Sequence, residues 1–219
     1  MLDHLETTIF VLIWCFGLSG AFGILRYQFV GGLEARESKI YSSKMILVPA
    51  LVLVPLAIRF FYDFFDINLF YPVHFLVSSG ELFVRAIAPA AVLLVASGLI
   101  ILLSHKIRDE YTFWMKMPFI VVTESLGRSP KKELRRLVVV KAYLDAWQNA
   151  LPWLFGELIV VESLFNAPGL ASQLWRSAKA YQWWDLACSG LALVVLFYLI
   201  SESAAKISRI IGVRLSGYA

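Results

Sequence analysis

Apolar residues in this chain run in long blocks separated by short charged stretches, instead of alternating with polar residues. A membrane-spanning helix needs about 20 mostly apolar residues. Five blocks approach that length: Ile9 to Leu25, Met45 to Phe61, Val84 to Leu103, Trp147 to Leu164 and Leu186 to Ser201. A soluble helix needs only one apolar stripe, so these blocks predict an all-α membrane protein with about five transmembrane helices. Pro49 and Pro55 fall in the second block, Pro89 in the third and Pro152 in the fourth. Proline is tolerated in membrane helices where neighbouring groups satisfy the freed backbone, so kinks are expected there.

The charged stretches orient the helices. Residues 26–44 carry Arg26, Arg36, Lys39 and Lys44, and residues 104–145 carry nine Lys or Arg, from Lys106 to Lys141. The tail adds Lys206, Arg209 and Arg214. Basic loops stay in the cytoplasm, so the N-terminus is expected outside and the C-terminus in the cytoplasm. The opposite segments are poor in Lys and Arg and carry Asp3, Glu6, Asp63, Asp66 and Glu81. Residues 60–83 are rich in Phe and Tyr. Together with Trp175, Trp183 and Trp184 in the last external loop, they read as an interfacial aromatic belt. The acidic start lacks the positive region of a cleavable signal peptide, so the first block is expected to be a retained helix.

Composition agrees with the pattern. The chain is 59% hydrophobic and 16% charged, against about 45–50% and about 25% for soluble domains. The basic residues flank membrane blocks, which accounts for them without a nucleic-acid partner. Cys15 and Cys188 both lie in apolar runs and form neither a metal spacing nor a disulfide framework. No linker marks a second domain, so residues 1–219 read as one membrane domain.

Two loops carry more information than the blocks. In the first, Val121, Val122, Thr123, Glu124, Ser125, Leu126, Gly127, Arg128, Ser129 and Pro130 lead into a basic stretch with Leu134, Arg135 and Arg136. Gly127 takes positive φ at no steric cost, which suits a sharp break. Ser129 and Pro130 form an N-cap and first-turn pair. The segment therefore reads as helix, exposed turn, new helix. Its pattern resembles the cytoplasmic coupling loop of binding-protein-dependent ABC permeases, written Glu-Ala-Ala, three residues, Gly, nine residues, Ile, one residue, Leu-Pro. Val121-Val122-Thr123 stand where Glu-Ala-Ala would be, and Val139-Val140 replace Leu-Pro.

The second loop is Val160-Val161-Glu162-Ser163-Leu164-Phe165-Asn166-Ala167-Pro168-Gly169-Leu170. Its Asn, Pro and Gly predict a turn that closes a membrane helix at the outer face. It resembles the peptide/nickel-type permease signature at Glu162, Phe165, Asn166, Pro168, Gly169 and Leu170, with Ala171 in place of the final Gly. The two motifs cover roughly residues 121–202, in the family's order.

The resemblance implies a non-catalytic permease subunit of the bacterial-type inner membrane, moving a solute, peptide-like by its second motif. A cytoplasmic coupling helix would lie between helices three and four. Implied partners are ABC ATPase subunits that hold ATP and Mg, a second permease chain, identical or homologous, and, for an importer, an extracytoplasmic substrate-binding protein. No cofactor is expected on this chain itself. The alternative is a permease-derived scaffold that docks an ATPase without forming the pathway.

Glu157 and Glu162 lie in the fourth block. Ionisable groups at membrane depth cost energy and face protein or a water-filled cavity. They are candidates for a translocation pathway, or else sit near the outer interface or bonded to neighbouring helices. The chain has no phosphate loop of the form Gly-x-x-x-x-Gly-Lys-Ser/Thr, no His-Glu-x-x-His and no Gly-x-Ser-x-Gly, so no catalytic constellation is predicted.

Overall fold

A computed structural model describes residues 2–30, 49–65, 69, 71, 79–115, 117 and 131–216. All regular structure among them is helical. In chain order the helices are α1 (Leu2–Val30), α2 (Ala50–Phe65), α3 (Ser79–Arg85), α4 (Ile87–Ala96), α5 (Leu99–Met115), α6 (Lys131–Leu164), α7 (Leu170–Lys179) and α8 (Trp183–Ser216).

Among the described residues two helices are long and apolar enough to cross a membrane, over His4–Leu25 and Trp183–Val213. They contain the first and fifth expected blocks. The third block is broken twice, for identifiable reasons. Pro89 has no N–H to offer the Arg85 carbonyl one turn back, and the helix is interrupted at Ala86. At the other end Gly98 takes φ 65° and parts Gly80–Ala96 from Leu99–Trp114. Counted as one bent span, this pair makes a third crossing. The described part of α2 has 16 residues around Pro55. The fourth block occupies the second half of the 34-residue α6, where Gln148, Asn149, Glu157 and Glu162 dilute its apolar character.

Contacts divide the chain into two compact units. The first contains α1 through Ser19, the helices α2 to α4, α6 from Leu151, all of α7, and α8 through Tyr198. Val11, Cys15, Val54, Leu93, Leu158, Phe165 and Leu193 are fully buried in it. The second contains the remainder of α1, α5, the first part of α6 and the end of α8. Leu99, Leu103, Val138 and Ala142 form its buried centre. There Gly23 faces Leu103, and a Cβ on it would stand 3.3 Å from that side chain.

Candidate functional site

The second motif folds as one hydrogen-bonded turn in the first unit. The helix α6 ends in a two-bond cap: Ala167 N–H donates to the Glu162 carbonyl at 2.9 Å, and Asn166 N–H donates to the Ser163 carbonyl at 3.3 Å. This cap needs a left-handed residue just past the helix end, and Asn166 supplies it at φ 53°. Asparagine tolerates that region far better than most residues. Its side chain is held at both ends, donating to the Tyr71 carbonyl and accepting from Arg176 at 2.7 Å.

Pro168 and Gly169 then start α7. The first three N–H groups of a helix have no partner within it. Here all three are satisfied by side chains from elsewhere. Leu170 N–H donates to Thr8 Oγ1 at 2.9 Å, and Ala171 and Ser172 N–H donate to Glu162 Oε2 at 2.9 and 3.1 Å. Thr8 in turn donates its hydroxyl proton to Glu162 Oε1 at 2.8 Å. The Glu162 carboxylate, with no exposed surface, thus closes a small network that ties the start of α1 to the start of α7. A second tie comes from His4, whose Nδ1–H donates to the Pro168 carbonyl at 3.0 Å. Only a protonated Nδ1 can serve an acceptor-only carbonyl.

Gly169 is required by space rather than by dihedral angle. Its backbone is extended, but a Cβ there would collide with both Glu162 carboxylate oxygens. Phe165 and Leu170 are buried apolar residues beside the turn. Every position matched by the peptide/nickel-type pattern therefore has a local structural task.

Glu157, one and a half turns earlier on α6, acts in the same way. Its Oε2 accepts the Ala50 N–H at 3.1 Å, at the start of α2. Both candidate pathway carboxylates are therefore engaged by the N-termini of other helices, where partial positive charge favours an anion.

No known family, curated protein or solved structure matches the chain. Its chemistry is therefore read from the residues alone. Among the described residues no cluster of three or more His, Cys, Asp or Glu could hold a metal ion.

The first motif falls mostly outside the described residues: Val121, Val122, Thr123, Glu124, Ser125, Leu126, Gly127, Ser129 and Pro130 are not described. Arg135 and Arg136 lie in the first turns of α6. The helices flanking that loop are joined by a polar clasp in the second unit, which the sequence reading missed. Lys141 on α6 donates to Glu110 of α5 at 2.9 Å and to Asp145 at 2.8 Å. The second oxygen of Asp145 accepts Ser208 Oγ of α8 at 2.6 Å, and Glu110 also accepts Trp114 Nε1 at 3.1 Å. Burial alone would depress the Lys141 ammonium. The hydrogen bonds and charges of Asp145 and Glu110 outweigh burial and hold it above its ordinary value. The visible signal was the i, i+4 pair Lys141 and Asp145. Nothing in the sequence indicated Glu110 or Ser208 as its partners.

Proposed function

We propose that this chain is a permease subunit of a binding-protein-dependent ABC transporter in a bacterial-type inner membrane. It would cross the bilayer five times, with the N-terminus outside and the C-terminus in the cytoplasm. One observation carries the reading: the residues from Glu162 to Leu170 that resemble the peptide/nickel-type signature are all engaged in one turn joining α6, α7 and α1. Each of these residues is buried at the turn or hydrogen-bonded within it, and that supports the reading. The two apolar helices and the bent pair support membrane insertion.

On this reading the segment around Val121 to Arg136 seats in the partner ATPases, which hold ATP and Mg. The Glu110–Lys141–Asp145–Ser208 clasp ties both helices flanking that loop to α8, so a push on the loop moves three helices together. A second permease chain completes the pathway, an external binding protein delivers substrate to an importer, and the solute is peptide-like. The scaffold alternative is favoured by a separate observation. Glu157 and Glu162 both serve helix N-termini, which gives each carboxylate a structural task in place of a cationic solute.

The test is a detergent pull-down of tagged chain with partners identified by mass spectrometry, run beside Gly127→Asp and Pro130→Asp. Recovery of a phosphate-loop ATPase and a second permease, lost in both variants, is the expected result. A chain that runs alone, or keeps its ATPase when the loop is broken, rules the permease out.

A further inference from the structure

The segment from Trp175 to Trp184 presents a patch that nothing within the described chain covers. Trp175, Tyr181, Trp183 and Trp184 are exposed, the last by 80%. Two cations lie among them: Lys179 stands with its ammonium 5.0 Å above the Trp175 ring, and Arg176 is exposed. Asp185 is the one acid of residues 175–185, so two cations less one acid leave +1. Asp185 sits in the first turn of α8, where the helix dipole already favours it.

The backbone adds an independent observation. The helix α7 closes with Gln182 N–H on the Ser177 carbonyl and Tyr181 N–H on the Ala178 carbonyl. That cap places Tyr181 in the left-handed region, at φ 56°. Glycine or asparagine is the ordinary residue there, and a large aromatic residue is strained. The Tyr181 ring is 76% exposed, and its contact within the described chain is an edge-on approach to Trp183 at 6.4 Å. Compensation for that strain is not found among the described residues.

We propose that residues 175–184 form an anchor seated in the headgroup layer of the membrane, binding acidic phospholipid through Lys179 and Arg176. Two arguments favour lipid over a protein partner. Trp183 is the first residue of a helix able to cross the membrane, so the patch lies at the end of a span, where the interface must be. Indole and phenol rings beside basic side chains match that layer, since the rings sit at headgroup depth and the cations meet phosphates. The anchor requires that the chain is in a membrane, and it does not depend on the permease reading.

The test uses whole protein in phosphatidylcholine vesicles containing, at equal mole fraction, either phosphatidylglycerol or phosphatidylcholine brominated near the headgroup. The contribution of Trp183 and Trp184 is obtained by difference from a Trp183→Phe/Trp184→Phe variant. Brominated phosphatidylglycerol is expected to quench this component more strongly, because each cation enriches anionic lipid roughly fivefold near it. Lys179→Gln should remove much of that preference, and Lys179→Arg should keep it. Equal quenching by the two lipids overturns the acidic-lipid assignment. Quenching by aqueous acrylamide with none from either bromolipid overturns the anchor and leaves the patch to a protein.

Discussion

Gly169→Ala tests the turn through a reversal of sign. In the native chain the new methyl would overlap the Glu162 carboxylate, which three donors hold in place at 2.8 to 3.1 Å. Overpacking of this kind costs about 1–3 kcal/mol. If the carboxylate moves aside instead, the Ala171 and Ser172 N–H groups lose their acceptor, at about 1–3 kcal/mol each. Either route makes Gly169→Ala destabilising by about 1 kcal/mol or more. Glu162→Ala alone strands the same two groups and is expected to cost about 2–6 kcal/mol. Once Glu162 is alanine, however, the clash is gone. The extended backbone of residue 169 suits alanine, and the loss of unfolded-state freedom then stabilises the fold by about 0.4–1 kcal/mol. The assay is the unfolding of all four proteins in one detergent, read as a double-mutant cycle with a coupling of at least about 1.4 kcal/mol. The account is refuted if Gly169→Ala is neutral in the native chain, or costs the same in both backgrounds.

Three further outcomes follow from named contacts. Lys141→Met leaves Glu110 and Asp145 without their cation. With all three side chains about one-fifth exposed, unfolding in detergent should show a loss of about 1–3 kcal/mol. The raised ammonium also fixes a pH dependence. Its stabilisation is fully present below the unfolded lysine value of about 10.4 and is lost as pH rises through the higher native value. Denaturation across that range should therefore show the native chain approaching Lys141→Met, and a constant gap would refute the clasp. Tyr181→Asn relieves the left-handed strain and should stabilise the protein in detergent by about 0.5–1 kcal/mol, as measured by the same unfolding assay. In phosphatidylglycerol vesicles the gain should shrink, because the ring's lipid contact is lost.

The helical, membrane-type character was legible in the apolar blocks, and the end of α6 was legible in Asn166, Pro168 and Gly169. Less visible was where a block would break. The break at Ala86 could be anticipated from Pro89, because a missing N–H one turn downstream is a local property. The break after α4 depends on Gly98 taking positive φ, which glycine permits but does not dictate. The site shows the same division. Glu162 was identified from its spacing to the Phe-Asn-x-Pro-Gly run, but its task could not be, since one of its three donors is Thr8, 154 residues away. Glu157 is bonded to Ala50 across 107 residues, and no periodicity encodes that pairing.

These long-range polar contacts are what a lipid environment would demand. Between helices in a bilayer, apolar packing is weakly discriminating because the lipid chains are as apolar as leucine. Position must then be fixed by groups that cannot be left unsatisfied at that depth. The orphan N–H groups at the starts of α2 and α7 need such partners, and Glu157 and Glu162 meet them from one helix. Trp14 does the converse, donating Nε1–H to the Phe83 carbonyl at 2.7 Å on the last turn of α3. A carboxylate that looks costly when read as one residue in an apolar block is thus a fastener when read with the helix end it serves. Removing it is expected to loosen the helix it caps before it alters any solute, so a transport defect in Glu157→Ala or Glu162→Ala counts toward a pathway role only if Glu→Gln, which keeps one acceptor oxygen for the helix end and removes the charge, shows that defect with the fold intact.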